Sequence, residues 1–406
     1  RGGRSLAPQV SVEGGQRHTA LLEVAQALLG VGRQRPGEVG DGVAVLALGA
    51  QLLAVDVDVA LGEDRVDPGE DTGDVLVQVE DAGAARGDGG GEPGAAARVG
   101  ARTVALSPWK LVPLEDAHAR AALEAWTDVT GIRFDTTPAA GQPVHITLDD
   151  ASSGAYSQSF TLGGDIESSS VNVGQDWLAS YGTAFAGYSF QTYIHEIGHA
   201  LGLGHAGGYN GSATYGRDNH YANDSWQATV MSYFSQTDNT TVNASYGFVV
   251  TPMIADILAM QQLYGLPQNI NGTNSTWGEG CNVGGAFGLA NRMLTTGQMV
   301  TCTIFDQGGT DWLRVGSDRA AQVINLAGGS VSSVYGKTGN LSIAEGTVIE
   351  NAVAGSNNDR IVGNAVGNWV SGMAGNDTIF GVAGNDTLEG GVGADRLVGG
   401  AGNDLY

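Results

Sequence analysis

Cysteine is nearly missing from this 406-residue chain; Cys281 and Cys302 are the only two. A disulfide-stapled scaffold is therefore excluded, since one bridge at most can form. Basic residues are also scarce. Nineteen Lys and Arg stand against forty-three Asp and Glu, a formal charge of −24. A phosphate backbone would be repelled, so nucleic acid is excluded as a partner. No apolar run reaches the ~20 residues of a membrane span. The best candidate, Val43 to Val55, is short and carries Gln51. Up to Pro108 the chain has no Phe, Trp, Tyr, Cys, Met, Ile, Lys or Asn. Without aromatics or isoleucine, residues 1–104 have little with which to pack a core. They read either as a disordered leader or as a GC-rich stretch translated out of frame, and no function is assigned to them. No amino-terminal signal pattern opens the chain.

Glycine, by contrast, is abundant, with 65 residues. That excess implies either disorder or a repeat that needs glycine at fixed places. From residue 105 the texture becomes that of a folded domain. Leu114, Ala121, Ala122, Ala125, Trp126 and Val129 share one face at helical spacing, with Pro113 ahead and Gly131 behind. Val144, Ile146 and Leu148 alternate as in a half-buried strand. Further helices are expected from about Phe190 to Leu201 and from Ile254 to Gly265. This mixture implies an α+β domain over residues 105–265, followed by a Gly/Asn/Thr/Ser-rich all-β region over 266–406.

Histidine is rare, yet three of the seven fall in "HEIGHALGLGH", His195 to His205. His195 and His199 are four apart, so a helix projects both from one face. Two imidazoles so spaced can ligate one tetrahedral zinc. Glu196 points to the side, where it can hold and deprotonate water rather than bind metal. Gly202 accepts φ > 0 and can turn the chain back, which delivers His205 as a third ligand. Three protein ligands with one open position is the arrangement of a catalytic zinc, not a structural one.

The eleven residues resemble the metzincin metalloprotease signature. Downstream, "ATVMSYF" supplies Met231 for a methionine turn and Tyr233 two residues later. The Met-x-Tyr form resembles the serralysin family of bacterial secreted proteases, as do "YANDSWQATVMSYF" and "ADILAMQQLYG". The resemblance runs from roughly Leu114 to the end. It implies a metzincin-type catalytic domain holding one zinc on His195, His199 and His205. It implies Glu196 as general base and Tyr233 as a switchable fifth ligand that steadies the oxyanion.

A second pattern occupies the end of the chain. Asp404, Asp395, Asp386 and Asp377 recur every nine residues, and Asn368 and Asp359 continue the register. Two residues after each come Ile361, Val370, Ile379, Leu388, Leu397 and Tyr406, expected to point inward. The pattern resembles the RTX nonapeptide of calcium-bound parallel β-rolls, from about residue 354. It implies several structural calcium ions on Asp377, Asp386, Asp395 and Asp404 with Gly390, Gly391, Gly393, Gly399, Gly400 and Gly402. Met373 and Val382 stand where a second glycine is expected, and Asn368 replaces an aspartate, so those turns are expected to bind calcium poorly. "FDQGGTDW" resembles a further calcium loop, with Asp306 and Asp311 as weaker candidates.

The stretch holding Cys281 and Cys302 departs from the family. A bridge there would close a loop worth ~3 kcal/mol, and two free thiols are the alternative. The chain also stops within the repeat, short of the carboxy-terminal type I export signal that serralysins carry, and so is expected to be truncated. The resulting expectation is a monomeric, secreted, calcium-stabilised zinc endopeptidase acting on protein or peptide substrates, with a proteinaceous inhibitor as a further partner. The alternatives are an RTX surface or adhesion protein with a vestigial protease site and a matrixin-like protease. The latter would lack the repeat.

Overall fold

A computed structural model describes residues 103–105, 113–139, 143–162 and 165–406. The expected leader therefore lies outside the described residues, apart from its last two positions. These open strand β1 (Thr103–Ala105), which pairs in parallel with β2 (Arg133–Asp135).

Helix α1 (Pro113–Thr130) begins at a proline, whose missing N–H costs nothing in a first turn. Its face Ala122, Ala125, Trp126 and Val129 is buried as the periodicity requires. The Trp126 indole donates to the Ile194 carbonyl at 3.0 Å, so α1 braces the helix that carries the first two histidines. A three-stranded sheet follows, in the order β3 (Ile146–Asp149), β5 (Asp165–Val173), β4 (Ala155–Leu162). Strand β4 runs antiparallel to β5 and has no strand on its outer side among the described residues. Helix α2 (Gln175–Tyr181), which the sequence pattern did not disclose, leads to α3 (Tyr188–Ala200), one residue short of its expected end.

Helix α4 (Ile254–Tyr264) stops at Gly265 as expected. A further helix, α5 (Gly285–Thr295), lies inside the unfamiliar cysteine-flanked stretch. It buries Phe287, Ala290, Met293 and Leu294. Both cysteines are free thiols. Cys302 is buried, which pushes its thiol up to about 12, and Cys281 is half-buried. A four-stranded sheet orders β11 (Val331–Ser332), β12 (Leu341–Ile343), β8 (Val300–Ile304) and β6 (Phe248–Val249). It joins residues on both sides of the boundary expected at 265, and one hydrophobic core runs through both parts.

The remainder is a β-roll of two parallel sheets. One orders β10 (Val323–Asn325), β14 (Arg360–Val362), β16 (Thr378–Ala383) and β18 (Arg396–Ala401). The other orders β17 (Thr387–Glu389), β15 (Trp369–Ser371), β13 (Asn351–Val353), β9 (Trp312–Arg314) and β7 (Thr276–Gly278). From β13 onward the chain alternates between sheets, so a nine-residue unit adds one strand and a pair adds one coil. Ile361, Val370, Ile379 and Leu388 are fully buried between the sheets. Tyr406 does not follow them. It is 72% exposed and its hydroxyl accepts from Gly399 N–H at 2.9 Å.

Met373 (φ 67) and Val382 (φ 85) adopt the left-handed backbone that Gly391 (φ 96) and Gly400 (φ 103) take in the equivalent turns. A side chain there is strained, most of all a β-branched one. Val382→Gly should therefore stabilise the roll by about 1 kcal/mol, with a smaller gain for Met373→Gly because glycine costs entropy on folding. Thermal unfolding of the variants checks both, and a fall in Tm would contradict the strain. The thiols give a second expectation. Without reductant, alkylation of the denatured chain should add two groups by mass, while the native chain should react first at Cys281.

Candidate metal centre

Helix α3 is buried on nearly all sides, and His195 and His199 are the histidines it leaves partly open. Its inner face is clamped from below. A Cβ at Gly198 would stand 2.9 Å from the Met231 sulfur and 3.0 Å from Trp126 Cζ2. Only glycine lets the helix sit this deep. After Ala200 the chain reverses at Gly202 (φ 101), and Leu203 N–H returns to the Gly198 carbonyl at 3.0 Å. That reversal carries His205 back to the helix.

The three Nε2 atoms then converge. His195 and His199 lie 3.1 Å apart, His199 and His205 3.1 Å, and His195 and His205 3.3 Å. Nitrogens bound tetrahedrally at 2.0–2.1 Å stand about 3.3 Å from each other, so the spacing fits zinc. The outer nitrogens fix the rings. His195 Nδ1 donates to the Val230 carbonyl at 2.9 Å, and His199 Nδ1 to the Leu203 carbonyl at 2.7 Å. Each proton is thereby held away from the convergence point, leaving a lone pair on Nε2. Burial and the nearby His199 push His195 down to about 3, which favours the neutral ring a ligand needs. Among the described residues, no other group of three His, Cys, Asp or Glu converges in this way.

Glu196 is 7% exposed, and burial pushes its carboxyl up to about 8. A cation beside it would draw that value down again. Tyr233 packs its ring edge-on to His205 at 4.5 Å. Its hydroxyl donates to Asn210 Oδ1 at 3.3 Å and accepts from Gly211 N–H at 3.4 Å. Met231 is buried under the helix, its N–H bonded to Thr229 Oγ1. Asp256 on α4 accepts from Thr229 Oγ1 at 2.5 Å and from the N–H groups of Val230 and Met253 at 2.8 Å. It thus holds the turn whose Val230 carbonyl receives His195.

The roll presents a second kind of site. Asp377, Asp386, Asp395 and Asp404 each accept, through Oδ1, the backbone N–H eighteen residues earlier, at 2.8–3.1 Å. The second oxygens of Asp377 and Asp386 are buried with no hydrogen-bond partner. They lie against the first glycine of their own turns, as those of Asp395 and Asp404 do against Gly390 and Gly399, where a Cβ would overlap them. Gly391 and Gly393 lie against the carbonyls of Met373 and Gly375, and Gly400 and Gly402 against those of Val382 and Gly384. Carboxylate oxygens left without a donor, beside backbone carbonyls, are the type of oxygen set that calcium takes. Burial and the next aspartate in the stack raise the carboxyls of Asp377 and Asp386, and Asp359 reaches about 6.

Asn368 behaves differently. Its amide donates to the Glu350 carbonyl and to Asn364 Oδ1, both at 3.0 Å. The turn supplies its own donors where the aspartate turns present acceptors. In the loop "FDQGGTDW", Asp306 accepts from Gly308 N–H and the Trp277 indole, and burial pushes it up to about 6. Asp311 accepts from Ser275 N–H at 2.6 Å, and its other oxygen is buried and unpaired. Glu350 joins them by accepting Asp311 N–H at 2.6 Å. Sequence reading missed Glu350, although it stands nine residues before Asp359 in the aspartate register.

Residues 269–406 match the family model described as the peptidase M10 serralysin C-terminal domain. The chain is 38% identical over 268 residues to metallopeptidase AprA of Pseudomonas marginalis, a match covering 63% of this chain and 55% of that protein. It is 33% identical over 280 residues to a serralysin of Proteus mirabilis, covering 64% and 56%. With serralysin C of Dickeya chrysanthemi it shares 41% over 179 residues, covering 43% and 36%. The chain spans about half the length of the curated relatives it matches. Across the stretch these matches cover, the chain is similar to proteins of the serralysin family.

Proposed function

We propose that this chain is a secreted, calcium-stabilised zinc endopeptidase that hydrolyses peptide bonds in extracellular proteins. The observation that carries the reading is the triangle of Nε2 atoms 3.1–3.3 Å apart beside buried Glu196. Residues 105–265 act as a metzincin-type catalytic domain and residues 266–406 as its calcium-binding roll. His195, His199 and His205 hold one zinc, which when bound polarises the scissile carbonyl and acidifies the attacking water.

The chain's own residues do the rest. Glu196 accepts the proton of the attacking water and returns it to the leaving amine. Its burial strengthens it as a base, and its separate position on α3 keeps it available. Tyr233 releases its hydroxyl from Asn210 and Gly211 to steady the developing oxyanion or to serve as a fifth ligand. Met231 forms the floor that keeps α3 in register. The free edge of β4 offers unpaired backbone groups to which an extended peptide can add as a further strand.

Asp377, Asp386, Asp395 and Asp404, with the glycine turns facing them, hold calcium, as do Asp306 and Asp311. Their unpaired oxygens make the roll depend on that ion, which suits an extracellular setting. No helix among the described residues is long and apolar enough to cross a membrane. The intact Glu196 and the converged imidazoles weigh against a purely adhesive RTX protein, which has no use for either.

Casein digestion tests the activity. Glu196→Ala should lose at least a hundredfold in kcat while still binding zinc, and a zinc chelator should abolish wild-type cleavage. Cleavage by Glu196→Ala at the wild-type rate would overturn the mechanism. For the roll, removing calcium with EGTA should lower Tm and expand the chain, measured by calorimetry and small-angle scattering. Asn368→Asp should lose about 1–3 kcal/mol of stability in EGTA, because the Glu350 carbonyl loses a donor and a carboxylate is added. Added calcium should shrink that loss. An equal loss in both conditions would exclude the amide as the ion's substitute.

A further inference from the structure

Asp224 is fully buried, and hydroxyl groups face its carboxyl oxygens. Burial raises its carboxyl, and only hydroxyl bonds and the charge of His220 oppose the rise. Such a group is costly unless its oxygens are engaged. Both lie 3.1 Å from the Tyr209 hydroxyl, and the Ser232 hydroxyl bonds the same carboxyl. Tyr209 is itself 6% exposed. Its ring lies nearly parallel to that of His205, 25° between planes and 5.5 Å between centroids, and 4.9 Å from Tyr233. The chain has cleared space for that ring, since a Cβ at Gly207 would stand 2.7 Å from Tyr209 Cε1.

His205 needs such support more than the other two histidines. His195 and His199 are fixed by a helix, whereas His205 sits past its end in a loop. The far end of the anchor is firm. The Asp224 carbonyl accepts from Asn239 Nδ2 at 2.9 Å, and Trp226 ties the same strap to the methionine turn through Phe234 and Ser232 carbonyls at 2.9 Å.

We infer that Tyr209, anchored by Asp224, is a positioning residue for His205: its ring is the wall that aims this imidazole at the metal. The inference rests on the zinc reading above. The hydroxyl does not touch the metal. It fixes the ring, and the ring limits rotation of His205 about its own side-chain bonds.

The test uses the full chain in calcium with Tyr209→Phe, Asp224→Asn and His205→Ala. Zinc affinity is measured by competition with a chromophoric chelator, and the visible bands of the cobalt-loaded protein report ligand geometry. Tyr209→Phe keeps the ring and removes only its anchor. It should weaken zinc about 10–100-fold and alter the cobalt bands, with the far-ultraviolet circular dichroism of wild type. Asp224→Asn should do the same, and if it fails to fold, Tyr209→Phe decides alone. A Tyr209→Phe chain with wild-type affinity and cobalt bands overturns the inference, even if its Tm falls, because a merely structural contact predicts that pattern. Failure of Tyr209→Phe to fold also counts against it. If His205→Ala binds zinc as tightly as wild type, the zinc reading itself fails, which separates the two ideas.

Discussion

Three imidazoles whose Nε2 atoms meet within 3.3 Å are the constraint around which the described residues between 113 and 265 are arranged. Without a cation, that convergence has little to recommend it. Neutral rings crowd together, and the Nδ1 atoms of His195 and His199 are already spent on backbone carbonyls. The arrangement persists because each ring is over-determined. Val230 and Leu203 hold two of them from behind, and Tyr209 stands against the third. The supporting shell is therefore as much a part of the centre as the ligands.

That shell is built from buried acids that serve backbone rather than metal. Asp256 gathers the methionine turn, and Asp224 gathers the loop after His205. Burial pushes Asp256 up to about 6, and it is satisfied by three short-range donors rather than by a counter-charge. The roll repeats the theme with the opposite result. Asp377 and Asp386 keep one oxygen for the neighbouring coil and leave the other without a hydrogen-bond partner, which is what the proposed divalent cation would complete.

Much of this was legible in the chain alone, for physical reasons. A four-residue histidine spacing survives as geometry because a helix fixes it, and Gly202 announced the reversal because few other residues accept φ 101. The nine-residue register disclosed both the inward stack and the odd turns, and Met373 and Val382, standing where glycine was expected, take the left-handed backbone that glycine would take there. Other features left little trace. Helix α5 was hidden by the glycines around it, and no pattern distinguishes a free Cys302 from a bridged one until burial is known. Backbone carbonyls such as those of Val230 and Leu203 have no residue-type signal at all. Tyr406 was expected inside because its register said so, but its ring lies exposed and its hydroxyl accepts the Gly399 N–H instead.

The short parallel pairing of β6 with β8 has a further consequence. Val249 N–H reaches across to Gln191 Oε1 on α3 at 2.9 Å, and β8 continues into β12 and the sheets beyond. The histidine helix is thus moored to scaffolding that the roll helps hold up, far from any cation of its own. On the proposed reading, an ion lost from the roll would be felt as slack at the histidine helix.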